Sequence, residues 1–166
     1  MIFKKSAAVK KLSPTPAVEE GPYYKEGSPE RKSIAGPGMP GTKLVLEGRV
    51  RDSSGKPIPN AWVDFWQADS VGNYDNEGYG LRGHQYTDKD GKYHLETIKP
   101  AGYEPRAPHL HVKVRPTPDS PVFTTQLFFA GDEKNATDMI YEELTAMTTK
   151  KYKDGEKAEF DFVVDV

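Results

Sequence analysis

The sequence predicts an all-β domain, an antiparallel β-sandwich, and three observations predict it. Short runs of alternating apolar and polar residues recur from about residue 44 to the end. Glycine (15) and proline (14) are frequent in a chain of 166 residues and fall between those runs, as turns do. Only one stretch, Asn135 to Thr148, has a pattern compatible with a helix, so at most one or two short helices are expected.

The elements follow in order. Residues 1–43 are rich in Pro, Gly, Lys and Ser and lack apolar periodicity, which predicts an extended arm rather than a domain. Within it, Gly21-Pro22-Tyr23-Tyr24 sets two adjacent aromatic rings after a turn. Residues 44–166 form the sandwich. Leu44, Leu46 and Val50 alternate with Val45, Glu47 and Arg49 in a first strand, closed by the turn Ser53-Ser54-Gly55-Lys56-Pro57. Ala61 to Gln67 is rich in β-branched and aromatic residues and reads as a strand. Asp88-Lys89-Asp90-Gly91 is a hairpin turn. Lys92 to Leu95, Leu110 to Val114 and Thr124 to Phe129 are further strands. At the end of the chain Phe160, Phe162, Val164 and Val166 alternate with Glu159, Asp161 and Asp165, a strand with one buried face.

Composition narrows the chemistry. Lys and Arg total 23 against 25 Asp and Glu, so no excess of positive charge favours nucleic acid or an anionic membrane as partner. With no cysteine, a disulfide framework, an iron–sulfur cluster, a thiolate zinc site and a cysteine nucleophile are excluded. No apolar run approaches a membrane span. Met1-Ile2-Phe3-Lys4-Lys5-Ser6 has the positive charge of a secretory leader without the apolar stretch that must follow, which predicts a cytoplasmic location.

Of the four histidines, His109 and His111 alternate with Leu110 and Val112 on one strand. Side chains on a strand have a period of two, so both imidazoles project from the face opposite the apolar set. Such a pair on a stiff element suits a metal ion. A third histidine (His84 or His94), carboxylates or tyrosines would complete the site. Tyrosine is a poor ligand at its usual pKa near 10, but a highly charged cation stabilises the phenolate, and ferric iron is charged enough to do so. Of nine tyrosines, Tyr74 and Tyr103 lie in loops that follow strands, where functional side chains concentrate.

The sequence resembles the intradiol ring-cleavage dioxygenases, the non-haem ferric family that opens catechols between their two hydroxyls (catechol, protocatechuate and hydroxyquinol types). The resemblance runs from about Thr15 to Asp132. Gly21-Pro22-Tyr23-Tyr24 is similar to the family's opening motif, and Asp52 through Asp69, with Trp62-Val63-Asp64-Phe65-Trp66-Gln67 at its centre, to its strand signature. Gly72-Asn73-Tyr74 and Pro100-Ala101-Gly102-Tyr103 match its two tyrosine ligands. Arg82-Gly83, Thr87-Asp88 and Gly91-Lys92-Tyr93 match its hairpin, and Arg106-Ala107-Pro108-His109-Leu110-His111 its arginine and two histidine ligands. Thr125-Gln126 and Gly131-Asp132 match the segment that follows.

The resemblance implies one Fe(III) per chain, held by Tyr74, Tyr103, His109 and His111, with Tyr103 and His111 axial and Tyr74 and His109 equatorial. It implies that a catechol displaces Tyr103 and that both atoms of O2 enter the product, a muconate-type diacid. Arg106 would stabilise negative charge that builds on the substrate, since a guanidinium keeps its own charge throughout. Gln126 would orient substrate or a supporting group, and Thr15, Pro22, Tyr23 and Tyr24 would form the lip of the pocket, with core packing the expected role of at least one of the two tyrosines. Trp62 and Trp66 are expected in the core or on the sheet face, and His84 and His94 in structural roles.

Two departures from the better-known members stand out. No helical segment precedes the sandwich in this sequence, which leaves homo-oligomerisation open. Only Glu104 and Pro105 separate Tyr103 from Arg106, where those members carry a longer loop; a shallower site, open to bulky catechols, is the expected result. Two rival readings use the same strands and turns: a non-catalytic prealbumin-like binding module, and a zinc hydrolase built on His109, His111 and a third histidine.

Overall fold

The structure, a computed structural model, describes residues 10–166; the leader-like Met1 to Ser6 lies outside the described residues. Ten strands run in chain order: β1 (Lys43–Arg51), β2 (Trp62–Gln67), β3 (Arg82–Tyr86), β4 (Lys92–Ile98), β5 (His109–Arg115), β6 (Phe123–Phe129), β7 (Ala146–Met147), β8 (Lys150–Tyr152), β9 (Gly155–Glu159) and β10 (Phe162–Val163). They form two five-stranded sheets. In the first, β1 pairs with β4 on one side and with β9, then β10, on the other; β8 lies outside β9. The second has the order β3-β2-β5-β6-β7.

The alternation read in the sequence is the burial pattern. Leu44, Leu46 and Val50 of β1 face Val63 and Phe65 of β2, Leu110, Val112 and Val114 of β5, and Leu127 and Phe129 of β6 in one core. The sandwich is as expected; its sheets are mixed, because the chain returns beside β1 in the same direction, making β1–β9 and β1–β10 parallel, as is β6–β7. The C-terminal run forms two strands in a single register, interrupted at Phe160 and Asp161. There the Asp161 carboxylate takes the Arg49 N–H (2.9 Å), and Tyr93 Oη donates to the Phe160 carbonyl (2.6 Å). β1 must pass close to that carbonyl, and Gly48 allows it: a Cβ there would lie 1.7 Å from the oxygen.

Three details differ from the expectation. Asn135 to Thr148 does not form a helix: two 3-10 turns, Glu133–Thr137 and Glu143–Thr145, precede β7. Met139 and Leu144 are exposed, so the segment has no continuous apolar face to bury, and tertiary packing is what makes most helices worthwhile. Val166 is exposed rather than on the buried face. The β8–β9 hairpin was hidden in a charged stretch, Lys150 to Glu159, whose side chains are mostly in water.

The arm belongs to the sandwich. Thr15 N donates to Val163 O (2.9 Å) and Val18 N to Thr124 O (3.1 Å), which joins the free edges of β10 and β6. On the opposite side, Arg31 N donates to His84 O (2.9 Å) and Ile34 N to Glu96 O (3.0 Å), which joins β3 to β4. Both open sides are thereby closed, and unpaired strand edges are covered. Between these stitches residues 19–28 cross the outer face of the second sheet: Tyr24 packs on Trp66 (ring centroids 4.7 Å apart) and Ser28 Oγ donates to Asp64 (2.8 Å).

Candidate active site

β5 sends His109 and His111 to that covered outer face, so both are buried, at 2% and 1% exposure, on a strand face that would be wet in a bare sheet. His109 Nδ1 lies 2.6 Å from the Ala107 carbonyl. A carbonyl can only accept, so Nδ1 carries the proton and Nε2 presents its lone pair. His111 lies flat on Trp66, its neighbour across β2–β5, with centroids 4.7 Å apart and planes at 11°. Burial, then the charge of Arg106, lowers the pKa of His109 to about 4. Burial, then His109, holds His111 well below the usual histidine value. Both rings are neutral at pH 7.

Two loops bring the phenols. Tyr74 lies between β2 and β3. Asp69 Oδ1 accepts from Val71 N (3.0 Å) and Asn73 N (2.9 Å) ahead of it, and the Asp75 carboxylate accepts from Glu77, Gly78 and Gly80 N–H groups after it. Tyr103 ends the loop from β4, paired back to back with Arg106 across Glu104 and Pro105, which are both exposed. The loops touch at Gly72, where a Cβ would lie 2.9 Å from Gly102 O.

The four donors converge. Tyr74 Oη is 2.8 Å from His111 Nε2, 2.9 Å from Tyr103 Oη and 3.3 Å from His109 Nε2. The two Nε2 atoms are 3.0 Å apart, and Tyr103 Oη is 3.4 Å from His109 Nε2. Donors about 2.0–2.1 Å from one centre stand about 2.9 Å apart at a right angle and about 3.4 Å apart at a tetrahedral angle. The observed separations fall in that range, and the crowd holds more lone pairs than protons, so the donor set fits a cation. Burial, then the bond to Tyr103, raises the Tyr74 pKa strongly, and burial raises that of Tyr103. Only a strong local positive charge would ionise either phenol. Among the described residues no three His, Asp or Glu side chains converge on a metal position. His84 sits 3.1 Å from Ser28 Oγ and His94 2.9 Å from Glu47, away from the pair, so the three-histidine zinc reading has no third ligand.

Around this centre the other candidates divide. Arg106 is buried rather than on the surface. Its Nε donates to Asp138 Oδ2 (3.0 Å) and its Nη2 to Gln126 Oε1, while Gln126 Nε2 donates to Glu19 O (2.8 Å). Gln126 pairs with His111 across β5–β6 and acts on Arg106. Tyr23 stacks on Tyr74 (4.3 Å, 18°) and meets Tyr103 edge-on (6.3 Å). Pro22, beside it, is exposed. Tyr24 is a packing residue: its hydroxyl donates to Asp64 (2.9 Å) and Lys113 Nζ lies 4.6 Å above its ring. Thr15 is not brought to the site; its hydroxyl accepts from Val163 N (2.8 Å) and anchors the arm to β10. Trp62 lies on the sheet face against Arg115.

Three residues that shape the site escaped the sequence reading. Trp66 was expected in the core or on the sheet face, without the role it has there as the floor under His111. Asp138, 32 positions from Arg106, lies in the stretch expected to be helical. Arg82 was matched only as part of a hairpin, and its contacts are to backbone carbonyls that no side-chain motif reveals.

Comparison with known proteins gives the family. The family model described as Dioxygenase (Dioxygenase_C) matches residues 19–166. Catechol 1,2-dioxygenase of Acinetobacter baylyi is 33% identical over 156 residues, covering 76% of this chain and 50% of that protein. Hydroxyquinol 1,2-dioxygenase of Nocardioides simplex is 32% identical over 152 residues, covering 76% and 51%. The chain thus spans about half the length of these curated relatives. Among solved structures, the dioxygenase domain of a dioxygenase carbohydrate-binding protein fusion from Streptomyces sp. SirexAA-E is 43% identical, with a TM-score of 0.90 over 93% of this chain and 99% of that one. With its family model matched over most of its length, and the sandwich and residue constellation to go with it, the chain belongs to the intradiol ring-cleavage dioxygenases.

Proposed function

We propose that this domain is a non-haem Fe(III) intradiol dioxygenase that opens catechol-type diols to muconate-type diacids. The observation that carries the reading is the convergence of two phenol oxygens and two imidazole nitrogens on a buried face, with Tyr74 Oη within 3.3 Å of the other three donors and His109 Nε2 within 3.4 Å of all of them. Tyr74, Tyr103, His109 and His111 would hold the ion, which when bound supplies the Lewis acidity that ionises a catechol and opens it to attack by O2.

The chain's own groups set the geometry and the protons. His109 and His111 enter as neutral donors, His109 with its free Nε2 fixed by the Nδ1–H bond to Ala107. Tyr74 is the anchored phenol: its oxygen meets all three other donors, and its ring lies under Tyr23. Tyr103 Oη meets Tyr74 and His109, fewer of the donors than Tyr74 does, which supports the reading that it is the phenol a substrate oxygen would replace and that its oxygen would take up one substrate proton. Arg106, buried beside the centre, stabilises anionic charge that develops on the substrate without giving up a proton, and Asp138 and Gln126 fix its orientation. The two-residue turn at Glu104 and Pro105 leaves the Tyr103 side without a long covering loop, which favours a shallow site tolerant of bulky catechols.

The test is the visible spectrum of the purified protein with ferric iron, before and after catechol is added under nitrogen. A phenolate-to-iron band that shifts with catechol is expected, followed by uptake of one O2 per ring opened once air is admitted. A colourless protein, as the binding-module reading requires, or turnover without oxygen, refutes the proposal. Rates across a panel from catechol to large substituted catechols test the open site; strict preference for unsubstituted catechol counts against it.

A further inference from the structure

Tyr74 and Tyr103 are chemically equal phenols, yet the structure holds them unequally, and the difference leads to Arg82. This arginine starts β3 beneath the site and is 2% exposed. Its Nε donates to the backbone carbonyl of Asp75 (3.1 Å), the residue after Tyr74. Its Nη1 donates to the backbone carbonyl of Tyr23 (2.5 Å), the residue whose ring lies on Tyr74. One rigid fork therefore ties the Tyr74 loop to the arm that covers it. The guanidinium is placed in turn by its own backbone: Arg82 N donates to Tyr79 O (3.2 Å), and Arg82 O accepts from Arg31 Nε (3.0 Å). The Asp75 carboxylate is occupied with Glu77, Gly78 and Gly80 N–H groups, so Arg82 makes bonds to two carbonyls rather than an ion pair with it. A buried cation bound to carbonyls is costly unless its geometry is used. Tyr103 has no such support: its ring meets Tyr23 only at an edge, and its main-chain bonds run to Arg106 in a two-residue turn.

We propose that Arg82 is a positioning residue that clamps Tyr74 between its loop and the ring of Tyr23, and so makes Tyr74 the retained phenol and Tyr103 the exchangeable one. This rests on the ferric reading above. Lysine cannot span both carbonyls with a planar fork, so Arg82→Lys breaks the clamp while keeping the charge; Tyr23→Leu removes the stacked ring while leaving the buried guanidinium in place.

The experiment loads wild type and both variants with ferric iron, records the visible band, and follows iron release to a chelator, with thermal unfolding measured in parallel. Supporting residues around a metal typically change affinity about 10- to 100-fold. Release faster by about that factor, with an altered phenolate band, is expected in both variants, and Tyr103→Phe should show the smaller acceleration. A destabilised fold alone would lower the unfolding temperature without altering the band of the iron that remains. Wild-type bands and release rates within about twofold in Arg82→Lys and Tyr23→Leu overturn the role of Arg82 and leave the ferric reading standing. A wild-type protein that forms no coloured iron complex overturns that reading and this inference with it.

Discussion

Asp138→Asn is the most informative single change, because one buried carboxylate holds Arg106, the group proposed above to stabilise charge in the reaction. Asp138 Oδ2 accepts from Arg106 Nε (3.0 Å) and Ala107 N (2.9 Å), and Oδ1 accepts from Ile140 N (2.8 Å). The side chain is fully buried, against 10% exposure for Arg106. Asparagine keeps the shape but has one acceptor oxygen. If that oxygen stays with Arg106 and Ala107, the amide NH2 faces the Ile140 N–H, donor against donor. Losing one charge-assisted bond costs about 1.5–3 kcal/mol, and the stranded N–H about 1–3 kcal/mol more. A loss of about 3–5 kcal/mol at pH 7 is therefore expected, in the range for breaking a buried pair. Burial alone would raise the Asp138 pKa, but the N–H groups of Ile140 and Ala107, together with Arg106, outweigh burial and hold it below the usual carboxylate range. A depressed pKa contributes stability that is present above the unfolded value and lost as pH falls through the folded one. The gap between wild type and variant should thus be full at pH 7 and close in the acid range. Urea unfolding at a series of pH values reads the gap, and turnover of the iron-loaded protein reads the consequence for Arg106: kcat should fall with iron retained. A loss under about 1 kcal/mol, or a gap that widens on acidification, refutes the assignment.

Further outcomes follow from the same geometry. Tyr74→Phe and His109→Ala should each reduce bound iron and bleach the visible band; unchanged absorption in both removes them as ligands. Tyr103→Phe should keep iron but slow substrate deprotonation by about 100-fold or more, in the range for a lost proton acceptor, and a normal single-turnover rate refutes its role. Asp64 is buried between Ser28 Oγ and Tyr24 Oη, and burial raises its pKa. A raised pKa contributes stability that is present at low pH and lost as pH rises through the folded value. Asp64→Asn should therefore match or exceed wild-type stability at pH 8 and lose that advantage toward pH 4, as unfolding curves at the two pH values will show; a deficit that grows with pH refutes this.

How much of this was legible depends on the range of each interaction. Alternation is local, so β1, β2, β5 and β6 could be read from Leu44, Val63, Leu110 and Leu127. The ligand candidates were legible because His109 and His111 are two apart on one strand and the two tyrosines sit in marked loops. The residues that support them were not. Asp138 reaches Arg106 across 32 positions, and Arg82 reaches Tyr23 across 59, through a backbone oxygen that any residue would offer. The stretch after Asp132 misled because its polar and apolar residues imitate a helix, whereas Asp138 is committed to bonds on another loop. Thr15 was placed by resemblance, and its hydroxyl serves the strand edge instead.

The arm explains why a strand face turned away from the core can act as a reactive centre. On an open sheet His109 and His111 would stand in water, and their pairing would be one more wet His-x-His. Tyr23, Tyr24 and Ser28 cover that face, and Trp66 underlies it, so the donors lie in a medium where charge is poorly solvated. The consequence is one-directional. Burial pushes the imidazoles towards neutrality and the phenols towards protonation, so the four donors by themselves are uncharged. The same burial makes any cation that enters a dominant local charge, able to ionise both phenols at once. On the ferric reading proposed above, two neutral bases and two phenols that lose their protons would leave a trivalent ion with about one positive charge unbalanced for an anionic substrate. Arg106 lies beside this centre with its charge balanced by the buried Asp138 carboxylate. On that reading the site would favour a diol able to give up two protons over a neutral aromatic that cannot.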